Sequence, residues 1–522
     1  MDVERSGVRL ADLVATFSLA MDLGLGQPVE HMLRSWLIAS RVGEHIGLSE
    51  HDRAALYYVT TLGWSGCVAD TPEVAAWFGD DIAARRDSFG VDRTGFSLLG
   101  FALQHAGSGG SALQRLRLIA ALVATRGAPV ERGLMAHCLT TASIADRLGL
   151  GTEVSLPLQQ VFTRWDGRGV PLGIGGEEIA PTMRMFQLAD TVEVVHRLEG
   201  VDAAVDIARS WSGSEFDPQV VDAFCRSTRE VLTGLEQAAD WGTLIDGEPA
   251  LQHRMDDAEL DRALEAVADF TDLRSRSRSG HSRTVARLAA EAGAQFGLPA
   301  ADVVLLRRAG LLHDFGLHGV PATILDKPGP LRSAEWERVR MHAYYTERML
   351  SRPPVLARIG SVAALVHERL DGSGYHRGLS GSAIPITGRI LGAADAYAAM
   401  VEPRPYRPAL SPTDATRALR AEVRAGRLAS DAVDAVLAAA GQRRRGRSGG
   451  PAGLTSREVE VLVLIARGAS NKQVARSLGI SAKTAGTHIE RIYAKTGAST
   501  RSTATLFAMQ AGLLDSLEPF DS

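Results

Sequence analysis

The chain repeats itself, and that repeat constrains its fold more than any single motif does. The stretch DGRGVPLGIGGEEIAPTMRMFQLAD (166–190) aligns without a gap on DGSGYHRGLSGSAIPITGRILGAAD (371–395). Spacings elsewhere agree. His31 precedes Gly63-Trp64 by the same 32 positions that separate His281 from His313-Asp314. His137, Asp166 and Asp190 then fall at the intervals of His342, Asp371 and Asp395, 29 and then 24 residues in each case. A weaker third echo relates SEFDPQVVDAF (214–224) to RLASDAVDAV (427–436), and the first copy is longer by about 45 residues between Trp64 and His137. Two versions of one domain, residues 1–250 and 251–440, follow from this pattern.

The second copy carries the chemistry. His281, His313, Asp314, His342, His367 and Asp395 offer imidazole nitrogens and carboxylate oxygens in an order suited to one or two divalent ions. A water polarised by such an ion loses a proton near neutral pH and can attack phosphorus. Three segments set these residues in context: LLHDFG (311–316), VHERLDGSGY (366–375) and LGAADAYAAM (391–400). Together they resemble the HD-GYP branch of the metal-dependent HD phosphohydrolases, over roughly residues 255–440. The resemblance implies an all-α fold and, in active members, hydrolysis of the cyclic dinucleotide c-di-GMP. It assigns all six residues to metal, His313 and Asp314 to the catalytic centre, and Asp371, Gly372, Gly374 and Tyr375 to substrate.

Three positions depart from the family pattern. Val366 stands where a second histidine is usual, so one metal position loses a ligand unless water or His376 substitutes. Leu317 replaces a lysine that could neutralise phosphate or protonate a leaving oxygen, with His318 beside it. His376 replaces the proline of the Gly-Tyr-Pro segment. The set His281, His313, Asp314 and Asp395 is intact, so the expectation is one ion rather than two; Fe, Mn, Zn and Ni all suit such donors.

In the first copy the His-Asp pair has become Gly63-Trp64, and Phe162 takes the place of His367. His31, His137 and Asp190 remain. Aromatic residues at ligand positions suggest a filled centre or an apolar pocket, in either case within a scaffold that packs against its partner copy.

Residues 441–453, GQRRRGRSGGPAG, read as a flexible basic linker. Beyond it, in 454–522, Thr455 with Glu458 and Ser470 with Gln473 form two helix-opening boxes, Gly479 can end the second helix, and Ser481 can cap a third. On that third helix Lys483, Thr484, Thr487, His488, Arg491 and Lys495 share one face, while Ala485, Ile489, Ile492 and Tyr493 share the opposite one. The segment resembles a four-helix LuxR-type helix-turn-helix, which implies that this third helix meets double-stranded DNA, with Lys472 a further phosphate contact. Residues 454–514 contain eight Lys/Arg and three Asp/Glu, a net of +5 in a chain of net −4, so a cationic module sits on an acidic body.

Three cysteines without paired spacing indicate neither a zinc ribbon nor a disulfide framework, and charges interrupt every apolar run well short of a membrane span. A cytoplasmic protein is expected. The sequence reads as a DNA-binding transcriptional regulator, dimeric on paired half-sites, whose body binds metal and senses or hydrolyses a phosphorylated small molecule. The alternative is a metal-dependent c-di-GMP phosphodiesterase with an accessory DNA-binding tail.

Overall fold

The computed structural model describes residues 7–89, 91, 100–101, 104–107, 112–124, 128–442, 451–511 and 513. The linker arginines and part of the first-copy insertion lie outside them. The described residues are helical, joined by 3₁₀ turns and a few isolated bridges, with no strand among them. They form two compact units, Met1–Ala440 and Gly441–Ser522.

In the first copy the helices are α1 (Leu10–Gly24), α2 (His31–Ile46), α3 (Glu50–Leu62), α4 (Cys67–Phe78), α5 (Asp81–Ser88), α6 (Ala112–Ala124), α7 (Ala128–Arg147), α8 (Thr152–Leu158), α9 (Pro181–Glu199), α10 (Val201–Ser210), α11 (Pro218–Leu232) and α12 (Trp241–Asp246). The second copy has α13 (Asp257–Asp272), α14 (His281–Phe296), α15 (Ala300–Leu312), α16 (Ala322–Leu325), α17 (Ser333–Met349), α18 (Pro354–Ala363), α19 (Ile386–Val401), α20 (Pro412–Arg424) and α21 (Ser430–Ala439). The repeat read from the sequence is therefore a repeat of elements: α1–α3 correspond to α13–α15, and α7–α11 to α17–α21.

The correspondence reaches individual backbone groups. His31 and His281 are the first residues of α2 and α14, each preceded by a left-handed residue, Glu30 (φ 67°) and Gly280 (φ 77°). Glycine adopts that conformation freely, whereas glutamate holds it at a cost of roughly 1 kcal/mol. Asp22 accepts the Met32 N–H (3.1 Å) as Asp272 accepts the Ser282 N–H (3.0 Å), so a carboxylate plugs the same helix start twice. Gly66 and Gly316 also match. A Cβ on either would lie 2.2 Å from the His137 carbonyl oxygen or 2.0 Å from that of His342, so only glycine lets the chain cross α7 and α17 this closely.

One apolar core runs from Val8 to Leu437 through both copies. Phe17 of α1 stacks on Phe315 of the second copy with ring centroids 6.3 Å apart, each burial contributing about 2 kcal/mol. The Met255 N–H reaches back to the Val8 carbonyl (3.0 Å), tying the start of one copy to the start of the other. A buried ionic chain also crosses between them. Arg274 donates to Asp81 (3.0 Å), Thr71 (3.1 Å) and the Val320 carbonyl (2.7 Å); Asp81 in turn pairs with Arg85 (2.9 Å), which holds Asp70 (2.5 Å).

The second unit has its own core, from Leu454 to Ala508. Its helices are α22 (Ser456–Ala466), α23 (Asn471–Leu478), α24 (Ala482–Thr496) and α25 (Arg501–Gln510). Both expected capping boxes are present, Gly479 ends α23 in the left-handed region (φ 64°), and Ser481 caps α24 through the Thr484 N–H. On α22 the buried residues are Val461, Leu462 and Ile465, while Val459 and Ala466 flank them half-buried.

Candidate metal centre and nucleic-acid interface

The six metal-ligand candidates meet at one point. His281 opens α14, His313 closes α15, Asp314 begins the 3₁₀ turn Phe315–Gly319, His342 lies in α17, His367 follows α18, and Asp395 projects from the middle of α19. His281 Nε2 is 3.2 Å from Asp395 Oδ1 and 3.8 Å from Asp314 Oδ2. His313 Nε2 is 3.3 Å from Asp314, and His342 Nε2 is 3.8 Å from its other oxygen. His367 Nδ1 is 3.8 Å from Asp395 Oδ2. Asp314 thus sits between two donor sets, one with His281 and His313, the other with His342 and His367.

Three imidazoles are aimed by their outer nitrogens. In the tautomer these contacts require, His313 Nδ1–H donates to the Gly310 carbonyl (2.8 Å), His342 Nδ1–H to the Val339 carbonyl, and His281 Nδ1–H to Glu402 (2.8 Å). Each bond turns Nε2 inward as a lone-pair donor. Burial pushes His313 down to about 3 and His342 to about 4, and it holds His367 well below its ordinary value. His313, His342 and His367 are therefore neutral near pH 7, as ligation demands. Buried nitrogens at His313 Nε2 and His342 Nε2 have no hydrogen-bond partner among the described residues. Orphaned buried acceptors are costly, and here they converge with two carboxylates on one point, so the donor set fits a divalent ion.

The departures noted in the sequence each have a place. Val366 is fully buried in the core. Leu317 packs with Val320 and Ile324 in a small apolar cluster. His318 does not compensate for it: its ring lies against Phe17 and Phe315, with Nε2 3.3 Å from the Thr271 hydroxyl. His376 pairs through Nε2 with Glu347 (3.1 Å), and it belongs to neither of the two donor groups that converge at the centre.

Of the substrate candidates, Tyr375 reaches the centre. Its ring stacks on His367 (centroids 4.8 Å, 25° between planes) and meets His342 edge-on. The other three shape the loop. Asp371 is exposed and accepts the Ser373 N–H (3.0 Å) and hydroxyl (2.6 Å), Gly372 is left-handed (φ 80°), and a Cβ on Gly374 would lie 2.4 Å from the Arg369 nitrogen. Gly169 makes the same approach in the first copy, 2.4 Å from the Phe162 oxygen.

The first copy's centre is filled. The Trp64 indole donates to Asp190 (3.0 Å), and His31 Nε2 contacts the same oxygen at 3.0 Å. Phe162 packs on His137 with centroids 4.8 Å apart, and Phe89 lies on both Trp64 and His31. His137, Asp70 and Cys67 form another potential donor trio, but its members are engaged: His137 Nε2 bonds the Gly63 carbonyl (3.0 Å), and Asp70 bonds Arg85. Protein hydrogen bonds satisfy here the groups whose counterparts in the second copy, His313 Nε2 and His342 Nε2, find no partner among the described residues.

Two residues at the second centre escaped the sequence reading. Glu402 anchors His281, and the Arg278 guanidinium pairs with Asp314. Both lie outside the quoted motifs, Arg278 in the Arg/Ser alternation RSRSRSGH (274–281).

On the second unit, Lys472, Lys483, Thr484, Thr487 and Arg491 are exposed and His488 is half-buried, while Ala485, Ile489 and Ile492 pack into the core. Lys495 is engaged within the module. Its ammonium pairs with the buried Glu458 (2.6 Å) and donates to the Gly453 carbonyl (3.1 Å), which locks α24 to the capping box of α22.

Comparison with known proteins agrees with this anatomy. Residues 265–430 match the HD domain model, and residues 452–508 match that of the bacterial regulatory proteins of the luxR family. The 3'3'-cGAMP-specific phosphodiesterase 3 of Vibrio cholerae is 31% identical over 427 residues, covering 81% of this chain and 92% of that protein. The cyclic di-GMP phosphodiesterase of Thermotoga maritima is 37% identical over 150 residues, covering 28% of this chain and 41% of the relative. The crystal structure of a cyclic GMP-AMP specific phosphodiesterase from V. cholerae superposes with a TM-score of 0.59 at 26% identity, covering 84% of this chain and 99% of that one. The chain belongs to the HD-GYP phosphodiesterase family, with a luxR-family helix-turn-helix module following its tandem body.

Proposed function

We propose that this protein is a DNA-binding transcriptional regulator whose second HD copy binds a divalent metal and recognises, and hydrolyses, a cyclic dinucleotide. The convergence of neutral, inward-facing imidazole nitrogens on Asp314 carries the reading. His281, His313, Asp314 and Asp395 would hold one ion; His342 and His367 form a second set that lacks a donor at Val366. An ion bound there lowers the proton affinity of water and polarises a phosphoryl oxygen. Glu402, Gly310 and Val339 keep the imidazoles oriented. Tyr375 closes one wall of the site and offers a face to a base or sugar. Cyclic GMP-AMP is the first substrate to test, because the Vibrio relative aligned along both copies acts on it; c-di-GMP is the second. The tail would bind operator DNA as a homodimer in the cytoplasm, and no described helix is long and apolar enough to cross a membrane.

The alternative, a phosphodiesterase with an accessory tail, is favoured by that same relative. Asp314→Ala separates the two readings. The expected result is loss of bound metal and of hydrolysis, with operator affinity no longer responsive to nucleotide. Operator affinity that is identical with and without metal and either nucleotide, beside retained hydrolysis in the wild type, would leave the enzyme reading and remove the regulator.

A further inference from the structure

A cation beyond the ion strengthens the hold on a phosphodiester through a charge-assisted hydrogen bond, and Leu317 supplies none. One guanidinium does enter the cluster. Arg278 ends the 3₁₀ turn Arg276–Arg278, three residues before His281. Its side chain is 19% exposed, it pairs with Asp314, and its Nε has no hydrogen-bond partner among the described residues. Arg276, on the same turn, is 75% exposed and approaches Glu73 at 3.6 Å.

The turn is held on every side. Ser275 donates to Asp326 (2.5 Å), the Arg278 N–H bonds the Ser275 carbonyl (3.0 Å), and Arg404 donates to the Ser277 carbonyl (2.9 Å). Arg274 is locked in the ionic chain between the copies. The backbone under Arg278 is therefore fixed, and only its guanidinium is free to exchange one anionic partner for another.

Charge points the same way. Asp314 and Asp395 balance one divalent ion, and Glu402 balances Arg404, with which it pairs at 3.1 Å. Asp272, at the end of α13, is held by the N–H and hydroxyl of Ser282. Once Asp314 turns to an ion, Arg278 loses the carboxylate it pairs with, and a phosphodiester oxygen can take that place.

We propose that Arg278 is the phosphate-binding cation of this site, supplied from the turn before α14 in place of one at position 317. The inference rests on the reading of the second copy as a cyclic-dinucleotide site. When Asp314 ligates the ion, Arg278 gives up that carboxylate and takes a non-bridging phosphoryl oxygen, which a planar guanidinium suits.

The test is calorimetric titration of metal-loaded wild type, Arg278→Ala and Arg278→Lys with cyclic GMP-AMP and, separately, with inorganic phosphate, beside elemental analysis of each protein. Arg278→Ala should keep its metal and lose roughly tenfold or more in affinity for the nucleotide, the usual scale for one charged hydrogen bond, and Arg278→Lys should recover part of it. Undiminished affinity for both probes in Arg278→Ala overturns the proposal, as does loss of the metal, which would make Arg278 structural. Wild type that binds phosphate but no nucleotide, with phosphate lost in Arg278→Ala, would support Arg278 while refuting the nucleotide reading. Wild type that binds neither probe refutes both.

Discussion

His31, the counterpart of His281, is satisfied by protein groups alone. It is fully buried, with Asp190 on one nitrogen and Glu193 on the other, and Glu193 is also held by Arg34 (2.6 Å). Burial alone would lower the His31 pKa, yet Glu193 and Asp190 outweigh it and push it up to about 10. Burial likewise opposes the Glu193 charge, and His31 and Arg34 still hold that carboxyl well below its ordinary value. The His31 value is raised on folding, so the pair's stabilisation is complete below the ordinary imidazole value of 6.5 and is lost as pH rises through about 10. On the acid side Glu193 preserves it above 4.5. Glu193→Gln should therefore cost about 3 kcal/mol near pH 6, and its deficit in denaturation midpoint should shrink towards pH 10. A deficit constant to pH 10 would show that His31 is neutral. At the same scale, Lys495→Met should lower the melting temperature of the tail, by about 1 kcal/mol in stability, and leave the salt dependence of DNA binding unchanged. Arg491→Ala should leave the melt alone and reduce the slope of log affinity against log salt by about 1.

At the scale of elements, the candidate metal centre depends on how closely the 3₁₀ turn after Asp314 can lie on α17. Gly316 sets that distance, since its missing Cβ would sit 2.0 Å from the His342 carbonyl. Gly316→Ala should separate Asp314 from His342, cost about 3 kcal/mol and lower the metal content of purified protein. A variant with full metal would mean that α17 can shift without loss of the site. The HD motif is legible as sequence, but the reason for its glycine appears only when the two elements are seen crossing. The GYP segment divides in the same way: Tyr375 faces the centre, whereas Asp371, Gly372 and Gly374 make the turn that carries it there.

At the scale of the whole molecule, the aromatic centre of the first copy is held in place by its packing. A Cβ on Gly63 would lie 2.6 Å from the Phe186 ring, and the matching residue in the second copy is the smaller Leu391. Restoring the pair with Gly63→His/Trp64→Asp should therefore destabilise the body without adding metal. Including Phe186→Leu should recover part of the stability, and calorimetry with elemental analysis checks both. A double variant as stable as wild type would show that this core yields more readily than its contacts suggest. The copies also share one core and the buried chain from Arg274 through Asp81 and Arg85 to Asp70, so neither is expected to unfold apart from the other.

Much of this was determined by the sequence alone. The duplication, the ligand spacing, both capping boxes and the polar face of α24 are local or periodic properties, written in residue order because helices and turns are set by near neighbours. What only the tertiary structure decided concerns groups distant along the chain. It packed His318 between Phe17 and Phe315, paired His376 with Glu347, tied Lys495 to Glu458, filled the first centre with Trp64, Phe89 and Phe162, and brought Arg278 and Glu402 to the second. None of these outcomes follows from spacing, because each depends on which buried charge or ring finds a partner once the helices pack.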